Sequence, residues 1–198
     1  MPPSALTAEI AAVAARLVVE EGMEYGPAKR RAARTVAKHS VRPAELPGND
    51  EVEDEVRTYL SLFHADTQPA ELEALRRVAL RWMARLEPFR PHLTGAVWRG
   101  TATRLNSVHL ELYCDDSKSA ELALIDLGVD YEVGSLNGPR GEPVEVLSVT
   151  SRSAELEEFV TVYMTVLDHD DLRGALKPDA RGRSQRGDLA ALQALLDP

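Results

Sequence analysis

The sequence predicts an α/β fold, a mixed β-sheet with helices that follows an N-terminal helical region. Apolar residues recur at helical spacing through the first half of the chain, and from residue 95 onward the period changes to two. One helical segment then interrupts the strand patterns, and this mixture favours helices packed on a mixed sheet. We therefore predict a helical region over residues 1–47 and an α/β domain over residues 48–198.

Composition and charge narrow the classes of function. The chain has 198 residues, with 23 basic and 32 acidic side chains and a net charge of −9. Such an acidic protein is unsuited to wrapping nucleic acid. The single cysteine, Cys114, excludes an internal disulfide and a multi-cysteine zinc site. The start of the chain has neither a basic leader nor a membrane-spanning pattern, so we expect a cytoplasmic protein without a membrane partner.

Helices are predicted in the first half from spacing and from start and stop residues. Gly22 ends the first helix, and the segment 42–50, RPAELPGND, reads as a linker. Thr67 caps the fourth helix, and Pro88 ends it. The predicted helices are 5–21, about 27–39, about 51–64 and 68–87.

Strands are predicted where apolar and polar residues alternate. Asn137-Gly138 marks a turn between two of them. A helix over 118–127 is capped by Asp116 or Ser117, and a last helix over 188–196 is capped by Asp188. The segment 168–187 reads as a loop. The predicted strands are 95–99, 107–114, 130–136, 143–149 and 159–167.

A candidate site lies between residues 99 and 115. Gly100-Thr101 offers a turn where a phosphate could approach the backbone. Ser107, His109 and Glu111 alternate along the next predicted strand and therefore share one face. Two alternatives stay open: Gly100-Thr101 is only a hairpin turn, and the polar residues are only an exposed strand face.

This arrangement resembles the polymerase-β-type nucleotidyltransferase superfamily, above all its minimal and antibiotic-modifying branch. The family pattern is an apolar residue, Gly and Ser, then Asp-apolar-Asp on the next strand and a third acid on a neighbouring strand. Gly100-Thr101 takes the Gly-Ser place, Ser107-Val108-His109 the Asp-apolar-Asp place and Glu145 the third acid's place. The resemblance implies a nucleoside triphosphate on the Gly-Thr turn, and Mg²⁺ if the protein is active. We predict that the side chains of Thr101, Ser107, His109 and Glu111 converge on one cleft, with Glu145 on an adjacent strand. Phosphate contacts are predicted from Arg99, Thr103 and Arg104.

The paired acids of that pattern are missing here. Serine cannot replace a carboxylate for Mg²⁺, and neutral histidine prefers softer metals. We therefore predict a lost or altered two-metal site and no cofactor in the apo protein. Two functions remain: a nucleotidyltransferase that uses an unusual set such as Glu111 and Glu145, or a non-catalytic protein that binds a nucleotide or serves as an interaction scaffold.

A different class of function is suggested by the basic segment at residues 23–45. It resembles the start of tetracycline-repressor-type regulators, and a stripe of Arg30, Arg34 and Lys38 lies on its predicted helix. The next segment, RPAELPGNDEVEDEV, is acidic where a recognition helix would contact phosphates. DNA binding is therefore the weaker alternative, and we expect the stripe to pair with acids of the third helix or to be solvated.

Overall fold

The structure is a computed structural model that describes residues 4–37 and 41–197. It divides into two compact units: Met1–Pro69 with Thr101–Leu105, and Ala70–Gly100 with Asn106–Pro198. This division differs from the predicted boundary at residue 47, because the third helix packs against the first one.

The first unit is built on three helices, α1 (Ala5–Glu21), α2 (Tyr25–Val36) and α3 (Asn49–Phe63), with a short 3₁₀ helix at Pro43–Glu45. The Ser4 side chain caps α1, and Gly22 ends it in the left-handed conformation at φ 66°. Buried alanines on α2 leave room for close helix packing. The core of this unit consists of Ile10, Ala14, Ala15, Leu17, Val18, Val19, Ala28, Ala32, Ala33, Val52, Val56 and Leu60.

The two described residues of the basic stripe on α2 are exposed to solvent. Arg30 and Arg34 are exposed, and Lys38 lies outside the described residues, as does the predicted end of this helix at residue 39. It is Lys29, not the stripe, that reaches the start of α3, where its Nζ donates to Asn49 Oδ1 over 2.8 Å. The expected pairing of Arg30 and Arg34 with acids of α3 does not occur among the described residues.

The second unit carries the sheet. Its elements are α4 (Gln68–Arg85), β1 (His92–Thr94), α5 (Gly95–Arg99), β2 (Val108–Tyr113), α6 (Ser117–Asp126), β3 (Tyr131–Asn137), β4 (Pro143–Ser153), β5 (Glu158–Leu167), α7 (Asp171–Ala175), β6 (Arg186–Gly187) and α8 (Leu189–Leu196). The first two residues of α4 belong to the first unit. A 3₁₀ helix at Glu87–Phe89 joins α4 to β1. Among the described helices, none combines the length and apolar character needed to cross a membrane.

The strands of the described chain form one sheet of six in the order β3-β4-β5-β2-β1-β6. β2 and β5 run parallel, and every other neighbouring pair is antiparallel. The prediction of a mixed sheet with helices after an N-terminal helical region is confirmed.

The two faces of the sheet differ in character. On one, called here the apolar face, Leu110 and Met164 are neighbours across β2 and β5, and Leu147 continues the row on β4; all three are buried. On the other, the polar face, His109, Tyr163 and Ser148 form the equivalent row, because side chains alternate along each strand.

Two sequence predictions in this unit are wrong. Residues 95–99 form the helix α5, and the strand next to β2 is the three-residue β1, which pairs Leu93 with Leu110. The predicted loop over 168–187 contains α7, and its end, β6, pairs with β1. The elements α5, β1, α7 and β6 are all short, and β1 and β6 pair with strands distant in sequence, which periodicity does not reveal.

Candidate functional site on the polar face of the sheet

β2 presents two of the predicted site residues on the polar face. His109 and Glu111 alternate with the buried Val108, Leu110 and Leu112, and Ser107 directly precedes the strand. The expectation that His109 and Glu111 share a face is thus confirmed.

His109 is stacked on an aromatic ring of the neighbouring strand. Its ring lies 5.2 Å from that of Tyr163, with 22° between the planes, and Tyr163 remains 36% exposed. Gly95 lies beside this pair: a Cβ at that position would stand 3.9 Å from the His109 Cβ and Cδ2 atoms. Gly95 has φ 71° and follows β1, so the strand-to-helix turn next to the site is Thr94-Gly95.

Glu111 is held by two donors. Arg186 Nη1 lies 2.9 Å from its Oε2, and the Tyr113 hydroxyl donates to the same oxygen over 2.5 Å. Arg186 comes from β6, whose pairing with β1 aligns it with Thr94 on the polar face. Burial raises the pKa of Tyr113, and the bond to Glu111 raises it further. The Glu111 carboxylate is therefore neutralised by a protein cation.

Glu145 does not join this group, so its predicted convergence with His109 is wrong. The position level with His109 on β4 is Ser148, and Glu145 lies three residues away, on the apolar face. There its Oε1 accepts from Lys118 Nζ over 2.7 Å, while Oε2 is buried without a partner among the described residues. The residue opposite His109 on the strand next to β2 is Tyr163, which is not an acid.

The predicted nucleotide turn also has a different role. Gly100 ends α5 at φ 82°, and Arg76 donates to the last carbonyls of that helix, from Nε to Val97 O and from Nη2 to Trp98 O. Gly100-Thr101 is therefore a helix end rather than a hairpin turn or a strand-to-strand phosphate turn. Arg99 is half-buried on α5.

Thr101, Thr103 and Arg104 belong to the first unit. Thr101 and Thr103 are buried, whereas Arg104 is exposed. The side chain of Gln68 donates to the Ala102 carbonyl and anchors this segment. Contacts of these three residues with a phosphate stay a prediction, as does the convergence of Thr101 with Ser107.

A cleft of about 280 Å³ opens where the parallel strands β2 and β5 end. Its polar lining includes Cys114, Asp115, Ser117, Glu145 and Asp168. Burial, followed by Asp116 and Asp115, raises the pKa of the Cys114 thiol, so this cysteine is a weak nucleophile at neutral pH. Within the described residues, no group of three or more His, Cys, Asp or Glu side chains is placed to hold a metal ion.

Sequence reasoning missed Tyr163, Arg186 and Gly95. Tyr163 had a signal, because FVTVYMTVL in β5 places Thr and Tyr on one side of the strand. Arg186 lies in a segment rich in arginine, 173–186, that could approach a polyphosphate, but nothing in the sequence pairs it with Glu111. Gly95 was hidden inside the stretch misread as a strand.

Comparisons with known proteins add little. No protein-family model matches the chain, and no curated protein matches it in sequence. One solved structure, described as Cid1 with RNA terminal uridylyl transferase activity, is similar to it with a TM-score of 0.29 and 14% identity. The match covers 46% of this chain and 29% of the other. A similarity of this size carries no argument about function.

Proposed function

We propose that this protein is a nucleotidyltransferase-like protein that has lost the two-metal centre and does not transfer nucleotides. The observation that carries the proposal is the identity of three neighbouring positions. In the family pattern, carboxylates occupy two alternate positions of one strand and one position of a neighbouring strand. Here the first two are Ser107 and His109, and the residue opposite His109 is Tyr163.

The strand-to-helix turn supports the same assignment. Gly95-Ala96 directly follows β1 and lies beside His109, so it fits the Gly-Ser place better than Gly100-Thr101. The family pattern has a longer interval between the Gly-Ser turn and the first acid than the one from Thr101 to Ser107, and counting from Ala96 lengthens it. Ala96 lacks the hydroxyl of the family serine.

The residues present do not fit Mg²⁺. Magnesium prefers carboxylate and water oxygens in an octahedral arrangement, and two ions need several carboxylates to balance their charge. Among the described residues, Glu111 is the one carboxylate on β2 and its two neighbouring strands on the polar face, and Arg186 already neutralises it. A two-metal transfer of a nucleotide, which needs the ions to clamp the triphosphate, therefore has no support from these side chains.

A second candidate function, metal-independent nucleotide binding, is favoured by the stacked rings of His109 and Tyr163. Exposed aromatic rings form stacking surfaces for bases, worth about 1–3 kcal/mol per base. A base could stack on the exposed side of this pair without any metal ion.

Two measurements with each of the four ribonucleoside triphosphates, with and without Mg²⁺ or Mn²⁺, test the candidates: an assay of pyrophosphate release tests the first, and calorimetric titration tests the second. We expect no pyrophosphate release and no effect of metal on affinity. If a base stacks on the pair, Tyr163→Ala weakens binding by about 1–3 kcal/mol, whereas Phe159→Ala on the same strand leaves it unchanged. Lack of binding at millimolar nucleotide removes the second candidate alone. Metal-dependent pyrophosphate release overturns the first.

A further inference from the structure

The strand β3 forms one edge of the sheet. Its only strand partner in the described chain is β4, so its other side presents backbone N–H and C=O groups outward. Six of its seven residues are exposed, and the seventh, Tyr131, is half-buried. An edge of this kind is a template for pairing with another extended chain.

Devices that usually protect an edge strand are missing from β3. Its sequence, YEVGSLN, contains no proline and no lysine, and Glu132 is its one charged residue. Gly134 and Ser135 are small, so a second backbone can approach the middle of the strand closely. The edge is therefore open to a seventh strand along its whole length.

Apolar side chains lie beside this edge on the apolar face. Val133 is 53% exposed and is level with Leu147 of that face. The hydroxyl of Tyr131 donates to Glu121 of α6 over 2.8 Å, which places this side of α6 next to β3. One helical turn further along α6, Ile125 is 54% exposed. A chain paired with β3 would place alternate side chains against Val133 and Ile125.

On the polar face the same edge is acidic. Glu132 projects from this face, and Asp130 precedes the strand with the same parity; both are exposed. Between residues 115 and 145 the sequence has eight acidic and two basic residues. Both basic residues are already ion-paired, Lys118 with Glu121 and Glu145, and Arg140 with Asp171. The first half of the edge thus carries two exposed carboxylates, Asp130 and Glu132, on its polar face, and the exposed Val133 and Ile125 lie beside its apolar face.

We propose that the outer edge of β3 binds an extended peptide whose residues alternate between basic and apolar. The backbone of the peptide continues the sheet, its basic side chains face Asp130 and Glu132, and its apolar side chains pack against Val133 and Ile125. A second copy of this chain is a poorer occupant, because its own edge carries the same negative charge. The proposal does not depend on the proposed loss of the two-metal site, since no residue of that site takes part.

The test measures binding of a capped peptide, Lys-Val-Lys-Val-Lys-Val-Lys, to the full chain. Calorimetry gives the affinity, and amide hydrogen exchange locates the binding site. We expect saturable binding and slower exchange confined to residues 131–137 and their neighbours on β4. A peptide of the same composition with its lysines and valines in two blocks should bind more weakly. The alternating peptide N-methylated at every second residue should bind more weakly still, because it lacks the ladder donors.

A pair of charge reversals separates this site from general attraction to an acidic protein. Asp130→Lys with Glu132→Lys should weaken binding about three- to tenfold. Glu9→Lys with Asp66→Lys makes the same change in net charge at exposed positions of the first unit and should have no such effect. Equal binding of the N-methylated peptide, equal loss in both double variants, or protection outside β3 overturns the proposal. So does a β3-dependent dimer in sedimentation experiments that excludes the peptide.

Discussion

Gly187 shows how a single missing side chain shapes the second unit. A Cβ at this position would lie 2.1 Å from the Cη2 and Cζ3 atoms of Trp98, whose Nε1 donates to the Ser184 carbonyl over 2.9 Å. We expect Gly187→Ala to lower the free energy of unfolding by about 1–3 kcal/mol, because the indole must move. Urea denaturation measures this change. Gly174→Ala is the matched control, since its Cβ meets nothing within 4 Å; equal effects of the two substitutions would contradict the packing argument.

Tyr113 predicts a dependence of stability on alkaline pH. Its pKa is raised in the folded protein, chiefly by burial and next by the bond to Glu111. Folding therefore favours the protonated phenol, and this stabilisation is present below the unfolded pKa, near 10, and is lost as pH rises beyond it. Tyr113→Phe should be less stable than wild type at pH 8, and the difference should narrow above pH 10. Parallel stability curves for the two proteins in chemical denaturation would show that Tyr113 is not responsible.

At the scale of elements, α5 depends on a contact from α4. Five residues are too few for a stable helix in isolation, and the half-buried Arg76 donates to two of the last carbonyls of α5. Arg76→Met should cost about 1–3 kcal/mol, the usual loss when carbonyls are left without a charged donor.

Arg77→Met is the matched control for that substitution. Arg77 is the next residue on α4, and its bond to Glu73 lies at the surface. Its loss should cost less than about 1 kcal/mol in the same denaturation experiment. A cost for Arg76→Met no larger than this would mean that α5 does not need the contact.

The elements also show which parts of the fold were accessible to sequence reasoning. Strands β2 to β5 and the helix α6 are long enough for their periodicity to reveal them, and their predicted bounds agree with the structure to within a few residues. GAVWR alternates like a strand, but tertiary contacts from Arg76 and from the segment near Ser184 make it a helix. The prediction that Glu145 lies beside His109 was wrong for a different reason. Alternation along β4 shows which residues share a face, but only the register with β5 shows which face it is.

At the scale of the whole molecule, the proposed loss of the metal centre predicts how the melting temperature responds to Mg²⁺. A ligand that binds only the native state raises the melting temperature, and at 100 times its Kd it adds about 2.7 kcal/mol. We expect millimolar Mg²⁺ to leave the melting temperature of the wild-type chain unchanged. Ser107→Asp, His109→Asp and Tyr163→Asp together place two carboxylates opposite each other on β2 and β5 and a third directly before β2. This variant should be less stable without metal, because like charges repel, and Mg²⁺ should raise its melting temperature by several degrees.

Added negative charge alone must be separated from the creation of a metal site. Thr35→Asp, Thr58→Asp and Ser61→Asp add the same charge at exposed positions of the first unit, and Mg²⁺ should leave the melting temperature of that protein unchanged. If Mg²⁺ raised the melting temperature of both triple variants equally, charge screening would explain the effect without a metal site. If Mg²⁺ raised the melting temperature of the wild-type chain, other carboxylates would bind the ion. Asp115 and Asp168, in the cleft at the ends of β2 and β5, would then be the first residues to substitute. The two-metal pattern would then have been displaced along the same strands rather than lost.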